Sequence, residues 1–435
     1  MTTVIKNASN PQSNNVIEES ILGITGLALT TSVVLISAYS PLLATTATNT
    51  PIMHGITHGT MFIFMAVMYF ALSRFVSKRD AFVRSKLSQT VFFILQATLP
   101  VAVLMECMLE ANLPSVLLLA IWAVFGIANA FFFCAWIEAQ SSFGEEHIRS
   151  ANLWSFGMAG CIAIAILAMP AITGIGAIFL ISAASFILLL LTPPYTIDII
   201  DERDERWFSN NSSFSRNGSY VMAVDGMMIG VIAGLLVARI SKNVLPPATM
   251  GLIFVLVAIT FFLINKKEPS FLELGRSQLV FLPILVCSLI LSGFLDAPWN
   301  TVAAIPLFII LHLFDYTNSS VLALRGSILS VSPCYCFAKG RFFIILGQGI
   351  GWLVGAFIAS DIGHGSLSIV SIFMVVLICT YIAAATIRPD KYPRVNEAPL
   401  DQQVTLSEIA PPPTQSQLSF SLTSANVLRR PSLLT

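Results

Sequence analysis

The chain has 435 residues, of which 56% are hydrophobic and 11% are charged, and its mean hydropathy is +0.81. Soluble proteins carry about 25% charged residues, so this composition excludes a soluble globular protein and predicts an all-α membrane protein. Acidic and basic residues balance at 23 each, which gives no net charge and no signature of nucleic-acid binding.

Apolar segments of about 20 residues, the length of a helix that crosses a bilayer, lie on both sides of a polar middle segment. The segments before it are 21–40, 52–73, 88–109, 113–136, 152–170 and 172–193. The segments after it are 220–240, 246–264, 277–295, 297–316, 341–360 and 365–387. The sequence therefore predicts twelve transmembrane helices in two pseudo-symmetric six-helix bundles.

The polar middle segment, 194–219, holds closely spaced acidic and basic residues and is predicted to be a solvated linker. The N-terminal half is then 21–193 and the C-terminal half is 220–387. Polar tails precede and follow the halves at 1–20 and 388–435. The second tail has no apolar periodicity and is predicted to be disordered.

The positions of Lys and Arg predict the orientation, because basic residues in short loops collect on the cytoplasmic side. With twelve spans, all but two of the 23 basic residues fall on the side that holds both termini. The exceptions are Arg239 and Lys242. We therefore expect a multi-pass protein of the cytoplasmic (inner) membrane with both termini in the cytoplasm.

Ionisable groups inside a bilayer are candidate functional residues by default. Glu106 in the third span and Asp225 in the seventh are candidates for ligand or ion binding, and a proton-coupled transporter is expected to place one of them against its cavity. His54 and His58 lie on one helical face. That pair could bind a metal or sense pH, but polar packing is the simpler interpretation, and two histidines alone make no complete metal site.

Other polar residues of the spans have weaker interpretations. Acidic residues at span ends are expected at the membrane interface; these are Glu138, Asp296 and Asp315. Neutral or aromatic side chains are candidates for lining a central cavity, although each could serve helix packing instead; these are Trp122, Asn129, Asn300 and Gln348.

Glycines recur at four-residue steps in two predicted spans, which predicts close helix contacts. The seventh span has Gly226, Gly230 and Gly234, and the eleventh has Gly347, Gly349, Gly351 and Gly355. The contacts are either plain packing or a sliding surface between the halves. Before the eleventh span, Cys334 and Cys336 are predicted to lie in a loop.

The sequence lacks a phosphate-binding glycine loop, a nucleophile elbow and a paired-cysteine zinc motif. These absences predict a protein that is not an enzyme and holds no cofactor. Its expected partners are the lipid bilayer and an unknown small molecule.

The two sets of six spans, the cytoplasmic termini, the polar middle segment and the basic loop SRFVSKRDAFVRSK (73–86) resemble the major facilitator superfamily. The resemblance implies a protein that binds and translocates a small solute by alternating access. The loop departs from the signature of the family, because Lys78, Arg79 and Asp80 keep its charges without its glycines.

The segment CFAKGRFFIILGQGIGWLVG (336–355) is similar to the membrane half of actinobacterial LuxR-type regulators. Those regulators join a facilitator-like domain to a helix-turn-helix domain. This second resemblance implies a sensor that binds a signal without moving it. The final tail shows no basic recognition helix, so such a sensor would lack its DNA-binding domain and this chain would bind no nucleic acid.

Overall fold

The structure, a computed structural model, describes residues 11–43, 50–75, 81–109, 113–140, 145–192, 216–241, 248–267 and 332–359, together with single positions between 284 and 322. The described chain is all-α. Its long helices are α1 (Pro11–Tyr39), α2 (Pro51–Phe75), α3 (Lys86–Leu109), α4 (Ser115–Gln140), α5 (Glu145–Leu167), α6 (Ala171–Leu191), α7 (Arg216–Ser241), α8 (Thr249–Lys267) and α9 (Pro333–Ala359).

The apolar length of these helices suits a bilayer, where a helix satisfies its own backbone hydrogen bonds. Helices α1, α2, α3, α4, α6 and α9 are long and apolar enough to span a membrane, and α5, α7 and α8 contain shorter apolar stretches. Helices α1 to α8 match the first eight predicted spans, and α9 matches the eleventh. The twelfth predicted span and the C-terminal tail lie outside the described residues, as do most of the ninth and tenth spans and most of the linker.

Three helices begin at least seven residues earlier than the sequence predicted, one of which is α5, at Glu145 rather than at residue 152. Helix α1 begins at Pro11, inside the predicted N-terminal tail. Helix α9 begins at Pro333 rather than at residue 341, so the expected loop around Cys334 and Cys336 is wrong, and both cysteines are buried in the helix.

The early start of α9 has a local cause. The Ser332 hydroxyl accepts a hydrogen bond from the Tyr335 amide at 3.3 Å, which is the arrangement of an N-cap side chain. Pro333 follows as the first helical residue, where its missing N–H costs nothing. Lys339 and Arg341 lower the local hydropathy and hide this helix start from a search for apolar segments.

The helices before the linker, α1 to α6, are called the first half here, and those after it the second half. Helix α2 packs on α9 and helix α5 packs on α8, so both contacts cross between the halves. Glycines make each close approach possible. A Cβ on Gly59 would lie 2.8 Å from the Leu353 side chain, and one on Gly160 would lie 2.8 Å from the Gly251 carbonyl oxygen.

The predicted glycine ridges meet each other on α7 and α9. A Cβ on Gly226 would collide with the Ile344 carbonyl oxygen, and one on Gly351 would collide with that of Met227. This confirms the predicted close contact. The alternative of a sliding surface between halves is wrong for this pair, because both helices belong to the second half, whereas Gly349 on another face of α9 meets Ile63 of the first half.

Candidate functional site

A cavity of about 90 Å³ lies where the two halves face each other. Its volume is enough for several water molecules by the usual measure of one water per 10–15 Å³ or more. Helices α1, α2, α4 and α5 form one side, and α8, α9 and the residues His312, Asp315 and Ser319 form the other. The polar residues of its wall are Thr31, Tyr39, Asn152, Ser155, His312, Asp315, Ser319, Arg341 and Gln348.

An ion pair between Arg341 and Asp315 forms part of this wall. Each residue is 8% exposed, and Arg341 Nη1 also donates to the Ser319 hydroxyl at 3.0 Å. The guanidinium lies 5.8 Å from the centre of the Phe337 ring. Because an isolated charge is costly away from water, each member of the pair stabilises the other in its buried position.

These two residues correct the expectation from the sequence. Asp315 was expected at the membrane interface, and Arg341 was expected to open the eleventh span as one of the basic residues on the cytoplasmic side. Both are buried in the cavity wall, because α9 starts at Pro333 and carries Arg341 two turns into the helix.

An aromatic layer closes one end of the cavity, which is called the Tyr39 end. The layer consists of His58, Tyr39, Trp122, Phe254, His312 and Trp352. His58 stacks on Trp352 with 4.7 Å between the ring centres, and Phe254 lies 4.7 Å from His312. Gln348 Nε2 donates to the Tyr39 hydroxyl at 2.7 Å and so ties α9 to α1.

A charged cluster, the Glu138 cluster, lies beyond the other end of the cavity. Arg84 donates to one carboxylate oxygen of Glu138 at 2.6 Å. The other oxygen accepts from the Ser332 hydroxyl at 3.2 Å and from the Cys334 amide at 3.1 Å. A carboxylate at a helix N-terminus is stabilised by the free amides and the helix dipole. Glu138 is 4% exposed, so its carboxylate is buried among these partners, and its expected position at the membrane interface stays a prediction.

Of the eight residues that the sequence proposed for ligand or ion binding, Gln348 lines the cavity and His58 and Trp122 belong to the aromatic layer. His54 lies beside His58, with 5.7 Å between the ring centres. Both ring nitrogens of His58 are near backbone carbonyl oxygens, at 2.5 Å from His54 and 2.8 Å from Ser37. Within the described residues no group of three or more metal-ligating side chains occurs.

The remaining candidates lie elsewhere. Glu106 and Asp225 are buried, but neither lines the cavity, although a proton-coupled transporter was expected to place one of them there. The side-chain oxygen of Asn129 (Oδ1) accepts a hydrogen bond from Gln96 Nε2 at 2.8 Å, which joins α3 to α4. Asn300 lies outside the described residues.

Sequence reasoning missed Arg341, Asp315, Tyr39 and His312 as cavity residues. A signal for Arg341 was available, because Ser332 followed by Pro333 is a helix start. A helix from that point places Phe337, Arg341, Ile345 and Gln348 on one face, which is the face that lines the cavity.

No protein-family model and no curated protein sequence matches the chain. Solved structures do match it over most of its length. The human organic anion transporter MFSD10 is 14% identical, with 87% of this chain and 99% of that chain covered and a TM-score of 0.58. The D-xylose–proton symporter is 12% identical, with 88% and 99% covered and a TM-score of 0.54.

A third solved structure, the nucleoside transporter NupG, is 15% identical, with 85% of this chain and 98% of that chain covered and a TM-score of 0.52. The chain has the major facilitator fold. The predicted fold class is thereby confirmed, although the count of twelve helices reaches beyond the described residues. At these identities the likeness shows the fold alone. The resemblance to LuxR-type regulators has no support from the matched structures and stays a prediction.

Proposed function

We propose that this protein moves a small solute across a membrane by alternating access. The observation that carries the proposal is a buried polar cavity between the two halves, with contacts that cross between the halves at both of its ends. When one end opens, the contacts between the halves at that end separate, while the contacts at the other end stay in place. A solute in the cavity is then exposed to one side of the membrane at a time.

The two ends differ in how they close. The Tyr39 end is held by ring packing and by the bond from Gln348 to Tyr39. The Glu138 end is held by a carboxylate that binds Arg84 of the first half and the start of α9 in the second. Because each set of contacts can break without the other, the cavity has two independent exits.

The matched structures are transporters rather than enzymes, and a transporter fold implies a small-molecule substrate and a bilayer. The three matched transporters are named for different solutes, so the solute of this chain has to be inferred from its own cavity. We propose that the protein lies in the inner membrane with both termini and the Glu138 end in the cytoplasm. The concentration of Lys and Arg on that side supports this orientation.

The proposed site joins Gln348 and Thr31 with the Arg341–Asp315 pair. Trp122 and His58 act at the Tyr39 end as parts of its closing layer. Asp315 replaces Glu106 and Asp225 as the carboxylate for proton coupling, since it is the one that reaches the cavity among the described residues.

Thiol labelling of Thr31→Cys tests alternating access. The seven native cysteines are first replaced, and the full chain is placed in right-side-out and inverted vesicles. A membrane-impermeant methanethiosulfonate reagent is expected to reach this cavity residue from both sides. Labelling from one side only would contradict the proposal.

The neighbouring Thr30→Cys is the matched control. Thr30 is 1% exposed and its hydroxyl bonds to that of Ser185 at 2.8 Å, away from the cavity. It is expected to stay unlabelled from either side. Equal labelling of both positions would report general loosening of the helices rather than a pathway through the cavity.

A further inference from the structure

The charges that face the cavity restrict what it can hold. Among the described residues of its wall, Arg341 is the one Lys or Arg, Asp315 is the one Asp or Glu, and His312 is the one histidine. Arginine stays protonated at every accessible pH, whereas a carboxylate can take up a proton. The described part of the wall can therefore carry a net charge of zero or of a positive sign, and its histidine can only add positive charge.

This range of charge has a direct consequence for the ligand. A cation in the cavity would add to a wall that has no surplus negative charge, and an uncompensated charge in a medium of low dielectric constant is strongly unfavourable. An anion has a partner in Arg341 once the charge of Asp315 is removed by a proton. Anion and proton together leave the loaded cavity neutral.

We propose that the cavity binds a small organic carboxylate together with one proton, which is taken up by Asp315. This inference rests on the proposed function and adds the substrate class to it. The carboxylate of the ligand takes the place of Asp315 on the Arg341 guanidinium, whose planar N–H groups match a carboxylate in two-point contact. The bond that breaks is the one from Arg341 to Asp315, and the proton from solution stays on the Asp315 carboxyl group until the ligand leaves.

The rest of the wall suits the organic body of such a ligand. Its apolar side chains include Met65 and five phenylalanines, which come from both halves; they are Phe62, Phe133 and Phe156 of the first half and Phe254 and Phe337 of the second. The Ser319 hydroxyl and the Gln348 amide lie on the same wall as Arg341. One charge among many carbon atoms matches the chemistry of a monocarboxylate with an apolar ring or a short chain.

Several other titratable groups face Asp315, and the experiment must separate them from it. They are Arg341 on α9, Tyr39 on α1, Tyr69 on α2 and His312 on the same segment as Asp315. Tyrosine is neutral near pH 7, so His312 is the alternative proton acceptor. The variants Asp315→Asn and His312→Gln distinguish the two.

Three probes of one shape and different charge test the ligand class: benzoate, benzamide and benzamidine. Binding to the purified full chain is measured by calorimetry and by thermal stability between about pH 5 and about pH 7. We expect benzoate to bind at least about tenfold more tightly than the other two, with affinity that rises as the pH falls and with uptake of one proton. Tighter binding of benzamidine or benzamide, or no binding of benzoate across this range, would overturn the proposal.

The variants assign the roles. Arg341→Gln is expected to abolish benzoate binding, and Asp315→Asn is expected to keep it and to remove its pH dependence. If pH dependence disappears in His312→Gln and persists in Asp315→Asn, the proton has been assigned to the wrong residue and the proposal falls. Because Arg341→Gln leaves Asp315 buried without its partner, the double variant Arg341→Gln/Asp315→Asn serves as a second test that also should not bind benzoate.

The inference and the proposed function fail in different ways. If Thr31→Cys is labelled from both sides while benzamidine binds in preference to benzoate, transport stands and the carboxylate inference falls. If benzoate binds with one proton while Thr31→Cys is reached from one side only, the anion site stands and transport falls. Uptake of labelled benzoate into proteoliposomes, driven by an inward proton gradient, is the result expected when both are correct.

Discussion

The two ends of the cavity are closed by different kinds of chemistry. At the Tyr39 end, ring packing dominates, and the hydrogen bond from Gln348 to Tyr39 across the two halves joins uncharged groups. At the Glu138 end, one carboxylate joins a partly exposed arginine to the start of α9. Ring packing is weakly sensitive to salt, whereas a charged contact at a surface is screened by it. We therefore expect closure of the Glu138 end to depend on the salt concentration and closure of the Tyr39 end to be almost independent of it.

Glu138→Ala is expected to have the largest effect on the difference in closure between the two ends. It removes the carboxylate from Arg84, Ser332 and the Cys334 amide together, and the loss of a buried charged partner costs about 3 kcal/mol. The free energy of unfolding, measured by denaturation in detergent, should fall by about that amount. The Thr31→Cys reporter should then be labelled faster from the Glu138 end. Glu138→Gln keeps an acceptor for the Cys334 amide and should lose about half as much.

Gly226→Ala is expected to loosen both ends alike. Its new methyl group would collide with the Ile344 backbone and separate α7 from α9, at a cost of about 2 kcal/mol. Labelling of Thr31→Cys should increase from both sides by similar factors. Gly176→Ala is the matched control, because a Cβ there has no neighbour within 4 Å. An increase confined to one side would contradict the shared role of the α7–α9 contact.

Tyr39→Phe is expected to act on the Tyr39 end alone. It removes the hydroxyl that accepts from Gln348 and leaves the ring in the aromatic layer, which should lower the free energy of unfolding by about 1 kcal/mol. Labelling should rise from the Tyr39 end and stay unchanged from the other. In a double-mutant cycle with Gln348→Leu, the free energies of unfolding lost in the two single variants should sum to more than the loss in the double variant. Simple additivity would show that the bond contributes nothing to closure.

Salt is expected to give the smallest effect. Arg84 has 22% of its side chain exposed in its contact with Glu138, and raising the salt concentration from about 0.1 M to about 1 M shortens the screening length from about 10 Å to about 3 Å. Labelling from the Glu138 end should rise by less than about threefold, and labelling from the Tyr39 end should not change. Arg84→Gln should remove this salt dependence. A salt response at the Tyr39 end would mean that charge contributes to its closure.

Much of the fold could be predicted from hydropathy, because the spans that match α1 to α8 are continuous apolar segments. The start of α9 could not be found in this way, since Lys339 and Arg341 interrupt the apolar pattern inside the helix. The cavity was harder still. Arg341 and Asp315 are 26 residues apart on different segments, and only the packing of those segments makes them partners.

The glycine positions also show what sequence spacing could not predict. Their spacing predicted close helix contacts on α7 and α9, and those contacts exist. Spacing alone could not say which helix each ridge meets. Gly347 and Gly351 face α7, whereas Gly349 faces α2 across the boundary between the halves. Neighbouring residues in one helix point in different directions, so one sequence pattern served two different interfaces.

The contact between α7 and α9 bears on which residues of the cavity wall move together. Backbone meets backbone at Gly226 and Gly351, so no side chain is available to change rotamer and let the two helices separate. We therefore expect α7 and α9 to move together and to carry Arg341 with them. Tyr39 lies on α1, in the first half. In the proposed transport cycle, a ligand bound to Arg341 would move with these two helices, and breakage of the hydrogen bond from Gln348 to Tyr39 would begin that movement.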